Sequence, residues 1–220
     1  MKRFFLAAFF FFAPFVVSFS QECSTAWPYV YPEFREAVIY MNAGQKILQE
    51  VNVHMLKSRL HFVDKGVIKE MVPSDIVAVE IGGDKYVPVG SDIMLVVKSC
   101  PDGFVAAHRV GEFDKLQDPS GAYGSSSTTA ATMSLTSVEV SGKVNQNHME
   151  LWQNRQNGAE VGVRTTYYIV AGGKAVKASR KDIEDTLDPV RKAQFKDWLK
   201  ANKIQWKNPE SLLKLVEFLK

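Results

Sequence analysis

Between Phe34 and Val110 the chain is a succession of short apolar runs separated by residues that tolerate a positive φ, and few architectures accommodate that pattern. The runs cover residues 37–41, 47–53, 60–63, 67–71 and 77–81, and then 86–89, 93–98 and 104–110. Apolar residues alternate at Ile47, Val51 and Val53, with Gln49 the exception, and at Leu60 and Phe62. A period of two is the signature of a half-buried strand. Asn42-Ala43-Gly44, Asp64-Lys65-Gly66 and Gly82-Gly83-Asp84 supply the turns, because glycine and asparagine reach left-handed backbone at little cost. Pro73-Ser74-Asp75-Ile76 reads as a short turn ahead of the next strand, and Cys100-Pro101-Asp102-Gly103 as a hairpin turn. Five strands in under fifty residues predict an antiparallel meander. Since an open meander invites unwanted edge pairing, closure into a small barrel or roll is the expected solution.

Residues 116–133 are rich in Gly, Ser, Thr and Ala without an apolar period and read as a long loop. Strand patterning resumes at 135–140, 164–170 and 175–177, with Ala171-Gly172-Gly173-Lys174 as a hairpin turn. The period then becomes helical. Ser179 with Asp182 resembles a capping box, and both Asp188-Pro189 and Asn208-Pro209 place a capping side chain before a proline at the first helical position. Phe195, Trp198 and Leu199 share one helix face, and Leu212, Leu215, Val216 and Leu219 another, which predicts buried stripes. The class is therefore α+β, an antiparallel β meander with a C-terminal cluster of about three helices. The regions are a signal peptide (1–20), a β-rich barrel-like region (21–115), the Gly/Ser/Thr loop (116–133), further strands with a hairpin (134–178) and a helical cap (179–220). Pattern alone leaves open whether the strands on either side of the loop form one sheet or two.

The signal peptide is read from Lys2-Arg3, the apolar run 4–17 and the small residues of Ser18-Phe19-Ser20, with cleavage expected after Ser20. Pro14 and the shortness of the run argue against a membrane span of about 20 residues, so the mature chain is expected to have none. Lipidation at Cys23 is disfavoured by Glu22, where a small residue is wanted. Cleavage removes Lys2 and Arg3, so 27 basic against 24 acidic residues becomes 25 against 24. A nearly neutral chain offers no electrostatic footprint for nucleic acid. In an oxidising compartment Cys23 and Cys100 are expected to pair. The bridge would close a 77-residue loop, for which chain entropy gives about 4–5 kcal/mol. Two unpaired thiols, with Cys23 in a loose tail, are the alternative; without a Cys-x-x-Cys, redox chemistry is not indicated.

Residues 37–81, with Met41-Asn42-Ala43-Gly44, Leu60-His61-Phe62-Val63-Asp64-Lys65-Gly66 and Asp75-Ile76, resemble the N-terminal half of a group of uncharacterised exported, cell-envelope proteins common in Bacteroidetes-type bacteria. Gly121-Ala122-Tyr123-Gly124-Ser125-Ser126, the hairpin 166–174, and Lys203-Ile204-Gln205-Trp206-Lys207-Asn208 followed by Leu212-Leu213 extend the resemblance over most of 34–220. It implies a periplasmic, secreted or outer-membrane-associated location, and brings no activity, cofactor or catalytic residue. The meander is also similar to small five-stranded barrels of the Sm-like kind, whose cytoplasmic members bind RNA. A chain without basic clusters lacks the term that supplies most nucleic-acid affinity.

The chemistry-bearing residues are sparse. His54, His61, His108 and His148 form no pair at metal-ligand spacing. Alternation puts His61 opposite Leu60 and Phe62, and His54 follows Val53, so both are expected to face solvent. His108, beside Arg109, is one weak site candidate; Trp152, in the polar run 145–157 where an indole calls for a partner, is the other. Ser91, His108 and Asp114 could be combined on paper, but no Gly-x-Ser-x-Gly presents the serine. The glycine-serine run 124–129 lacks the lysine of a phosphate loop. Glu184 with Asp185, Asp75 with Glu80, and the lysines of the last thirty residues read as solvated charge. No catalytic, metal or cofactor residue is predicted. The expectation is a noncatalytic exported module that binds an envelope protein or cell-surface component. The alternatives are a small-molecule protein holding an apolar or glycan ligand in a barrel mouth or sheet-helix crevice, and, third, a hydrolase.

Overall fold

Which strands pair decides where the surfaces fall. The computed structural model describes residues 23–24, 26–113, 158 and 160–220; the signal peptide, the Gly/Ser/Thr loop, the strand expected at 135–140, Asp114, His148 and Trp152 lie outside them. The strands are β1 (Cys23–Ser24), β2 (Arg35–Met41), β3 (Lys46–His54), β4 (Arg59–Asp64), β5 (Val67–Glu70), β6 (Ile76–Ile81), β7 (Asp84–Val89), β8 (Asp92–Cys100), β9 (Gly103–Gly111), β10 (Val161–Ala171) and β11 (Lys174–Lys177). Three helices follow: α1 (Arg180–Thr186), α2 (Pro189–Ala201) and α3 (Pro209–Leu219). The strands make one antiparallel sheet in the order β1-β10-β9-β8-β7-β6-β2-β3-β4-β5, with β11 also on β10. The class is α+β. β10 pairs with β9 from Val163↔Gly111 to Ala171↔Gly103, so the strands before and after residues 114–157 share a sheet.

The expected barrel is not closed among the described residues, whose sheet ends at β5 on one side and at β1 and β11 on the other. Nor is the first part a simple meander. Strands β2 to β5 pair in sequence, but β6 returns to the far edge of β2. The 3-10 turn Pro73–Asp75 makes this crossing, held by Asn42 N–H on the Asp75 carbonyl at 3.0 Å and by the Asn42 side chain on the Ser74 carbonyl. The destination is set by burial. Val79 and Ile81 on β6 oppose Ile39 and Ala37 on β2, and all four are in the core. Val79, Ile81 and Ile39 each contribute about 1.5–3 kcal/mol when fully buried.

The helices begin where the sequence places them. Ser179 caps α1 through Asp182 N–H, Asp188 caps α2 through the N–H groups of Val190 and Arg191, and Asn208 caps α3 through those of Glu210 and Ser211. Their apolar faces pack on the β8–β10 part of the sheet, where Val105 and Ile169 meet Ile183, Phe195, Leu212 and Leu215. The closest approach is at Gly103, where a Cβ would stand 2.1 Å from the Val170 carbonyl oxygen and 2.9 Å from Val216.

The Cys23–Cys100 bridge is not formed, and Cys100 is a free thiol. Cys23 opposes Gly162 near the start of β10, whereas Cys100 opposes Gly103, which opposes Ala171 at its end. Nine residue steps along β10 separate Gly162 from Ala171, about 30 Å at strand rise. A disulfide needs Cα atoms within about 7 Å. Among the described residues no helix is long and apolar enough to cross a membrane.

Candidate functional site

Two places gather polar groups in a way that could serve a ligand or a reaction. The first is the seam between the β3–β4 loop and the start of β8. Ser58 donates its hydroxyl to the Ile93 carbonyl at 2.6 Å, Ile93 N–H bonds to the Ser58 carbonyl at 2.8 Å, and Gly111 N–H bonds to the Met55 carbonyl at 3.0 Å. Registers His54↔Arg59 and His61↔Glu70 put these four side chains on one face. A row of polar contacts results. Tyr29 Oη lies 3.1 Å from His61 Nδ1, and His61 Nε2 lies 3.8 Å from Glu70. Arg59 stands 3.8 Å from Glu70 and 3.9 Å from Asp92, and His108 Nε2 lies 3.4 Å from the second oxygen of Asp92. His54 stacks on His61 with ring centres 4.8 Å apart.

Strand alternation places His61 on the correct face, but neither His54 nor His61 is solvent-facing as expected. The segment before β2 runs alongside the end of β3, with Tyr29 bridging to His54, and leaves His54 6% exposed. Asn52 fixes that segment. Its buried side chain accepts from Tyr31 N–H at 3.2 Å and donates to the Tyr31 and Glu33 carbonyls, each at 2.9 Å. The sequence reading overlooked Asn52; its sole signal was a polar residue between Val51 and Val53.

The seam has the residue types of acid-base chemistry but not the order. Ser91 donates to one oxygen of Asp92 at 3.1 Å while His108 approaches the other. The carboxylate thus stands between hydroxyl and imidazole, whereas nucleophile activation requires the base on the hydroxyl itself. Burial holds the His108 pKa below its usual value; the Asp92 carboxylate opposes this and Arg164 adds to it. Among the described residues no group of three or more His, Cys, Asp or Glu side chains is placed to hold a metal ion. Nearby, Tyr31 donates to Asp84 at 2.7 Å and lies 2.8 Å from the Tyr86 hydroxyl, with the Arg35 guanidinium 4.3 Å over its ring. Burial raises both tyrosine pKa values, so these hydroxyls remain neutral donors.

The second place is a crevice of about 630 Å³ between the β10–β11 hairpin, the α1–α2 corner and the end of α3. Its apolar walls include Ile169 and Val176 from the hairpin, Leu187 from the corner and Leu219 from α3. Among the described residues every charged one lining it is cationic: Lys174, Arg191 and Lys220. Arg191 donates to the Phe218 carbonyl at 2.7 Å with its guanidinium carbon 5.6 Å from the Phe218 ring, and Lys220 pairs with Asp102 at 3.1 Å. The sequence raises a sheet-helix crevice only as an alternative and without its residues, and reads Lys220 as solvated charge; Arg191 is not singled out, although the glycine turn and the Asp188 cap that frame the crevice are. Of the site candidates read from sequence, His108 lies in the seam, 19% exposed, and Trp152 lies outside the described residues.

Compared with models of known protein families, with curated proteins and with solved structures, the chain finds no match in any of the three.

Proposed function

We propose that this chain is an exported, noncatalytic binding module and that the crevice beside β11 receives its ligand. One observation carries this reading: a space of about 630 Å³, walled by aliphatic side chains from three elements, falls within the roughly 300–1,000 Å³ range of small-molecule sites. Export rests on Lys2-Arg3, the apolar run and Ser20, and the resemblance to exported envelope proteins agrees with it. The location proposed is the periplasm, the medium or the outer-membrane surface of a Gram-negative cell. The finer fold reading belongs here as well. Hydrogen bonds between Ser58 and β8 and between the Met55 carbonyl and Gly111 N–H of β9 support a sheet that curls on itself as a roll while its edges stay open.

The test is calorimetric titration of the purified chain with sodium dodecanoate below its micelle concentration, against Val176→Trp, which enlarges the side chain that shares the crevice face with Ile169. Binding by the parent and at least tenfold weaker binding by the variant, with unchanged circular dichroism, supports the reading. Equal binding, or none by the parent, overturns it.

A second reading, an interaction surface for an envelope protein, is favoured by exposed apolar residues at one end of the sheet. Leu48 on β3 is 67% exposed, and Val67 and Ile68 on the edge strand β5 are 58% and 51% exposed. Crosslinking in the source cell tests it: a reproducible partner captured at position 68 supports this surface, and capture independent of position argues against it.

A further inference from the structure

We infer that the crevice is specific for a single-chain amphiphile with an anionic carboxylate head, an inference that rests on the crevice being the binding site. The argument starts from what the walls lack. Among the described residues no aromatic side chain lines the space, and Thr186 is the single neutral polar side chain that does. A sugar is ordinarily held by stacking its C–H face on a ring and by a converging set of amide and carboxylate partners. These walls offer neither, so of the apolar and glycan alternatives the apolar one fits.

The charges then define the head group. Among the described residues three cations and no acidic residue line the crevice, so a cationic ligand would meet repulsion, and a neutral one would leave the field unused. Arg191 is the centre of this field. It stands in the first turn of α2, where the helix dipole disfavours a cation, although Asp188 offsets part of that cost. The Phe218 carbonyl and ring hold its guanidinium, and that carbonyl takes one of the five N–H donors an arginine carries. The planar fork suits a carboxylate, to which it can donate two parallel bonds. Lys174, exposed at the hairpin, adds a second cation on the opposite wall. Lys220 is partly neutralised by Asp102. The apolar walls at Ile169, Leu187 and Leu219 take the tail.

A chain-length and head-group series on the full chain tests this. Octanoate, decanoate and dodecanoate should bind with affinity rising on the order of tenfold for each two methylene groups. Dodecanol, with the same tail and no charge, should bind at least tenfold more weakly than dodecanoate. Arg191→Gln should remove that discrimination and leave dodecanol binding within about twofold. Since Arg191 also ties α2 to α3, Lys174→Gln on the exposed hairpin serves as the second variant; it should weaken dodecanoate several-fold and leave dodecanol alone. Equal binding of dodecanol and dodecanoate by the parent, or discrimination that survives in both variants, overturns the anionic head while leaving the crevice as an apolar site. If neither amphiphile binds, the crevice reading itself fails and this inference with it.

Discussion

A methyl group at position 103 has no room, because its carbon would sit 2.1 Å from the Val170 carbonyl oxygen, a backbone atom that cannot rotate away. Relief requires β10 or α3 to shift in a packed core, and overpacking of this kind costs about 1–3 kcal/mol. Gly103→Ala should lower the urea midpoint by a corresponding amount at unchanged slope. His108 makes a second residue-scale prediction. Burial lowers its pKa in the fold below the ordinary 6.5, so as pH falls through that region the unfolded chain takes up the proton more readily. Stability should therefore decline from pH 7 to pH 5, and His108→Gln should flatten that slope when unfolding is followed at each pH. At this scale the sequence was half legible. Alternation gives the face on which His61 lies, but the cover over it comes from Tyr29, thirty-two residues away, and no local pattern encodes that contact.

Elements were legible where their determinants are local. Ser179, Asp188 and Asn208 each bond to an N–H group within three residues, so the helix starts follow from short stretches of sequence. Strand extents follow similarly from period and turns. Pairing does not, because β6 chooses β2 over β5 through burial of Val79 and Ile81 against residues forty positions earlier. The N-terminal segment is placed by a comparable long-range device, the Asn52 side chain. In Asn52→Ala the Tyr31 N–H and the Tyr31 and Glu33 carbonyls lose their partners, and unpaired buried polar groups cost about 1–3 kcal/mol each. Partial access of water will lower the sum, so a loss of about 3 kcal/mol is expected. Hydrogen exchange should rise across residues 26–34 well before it rises in β9 or β10.

At the scale of the whole molecule, one continuous sheet carries separate apolar clusters. One lies among β2, β3, β4, β6, β7 and β8, and another lies under the helices on β9 and β10. Their continuity could not be read from sequence, since β9 and β10 are separated by residues 112–160 and meet through nine registered pairs that no local signal specifies. The seam is a further link between the two parts, beside a third cluster of Trp27, Met55, Phe113, Val161 and Val163. Ser58, 2% exposed, donates to the Ile93 carbonyl, and its own carbonyl accepts from Ile93 N–H. Ser58→Ala removes the first bond and leaves a buried carbonyl with less than its due, a loss of about 1–2 kcal/mol. The informative readout is where exchange increases. If the seam holds the β3–β4 loop to β8 while the helices are secured by their own core, β4 and the start of β8 should exchange faster together and α3 with β10 should keep their protection. A uniform rise through α3 would instead mean that both clusters open as one unit, because the sheet backbone between them transmits the loss.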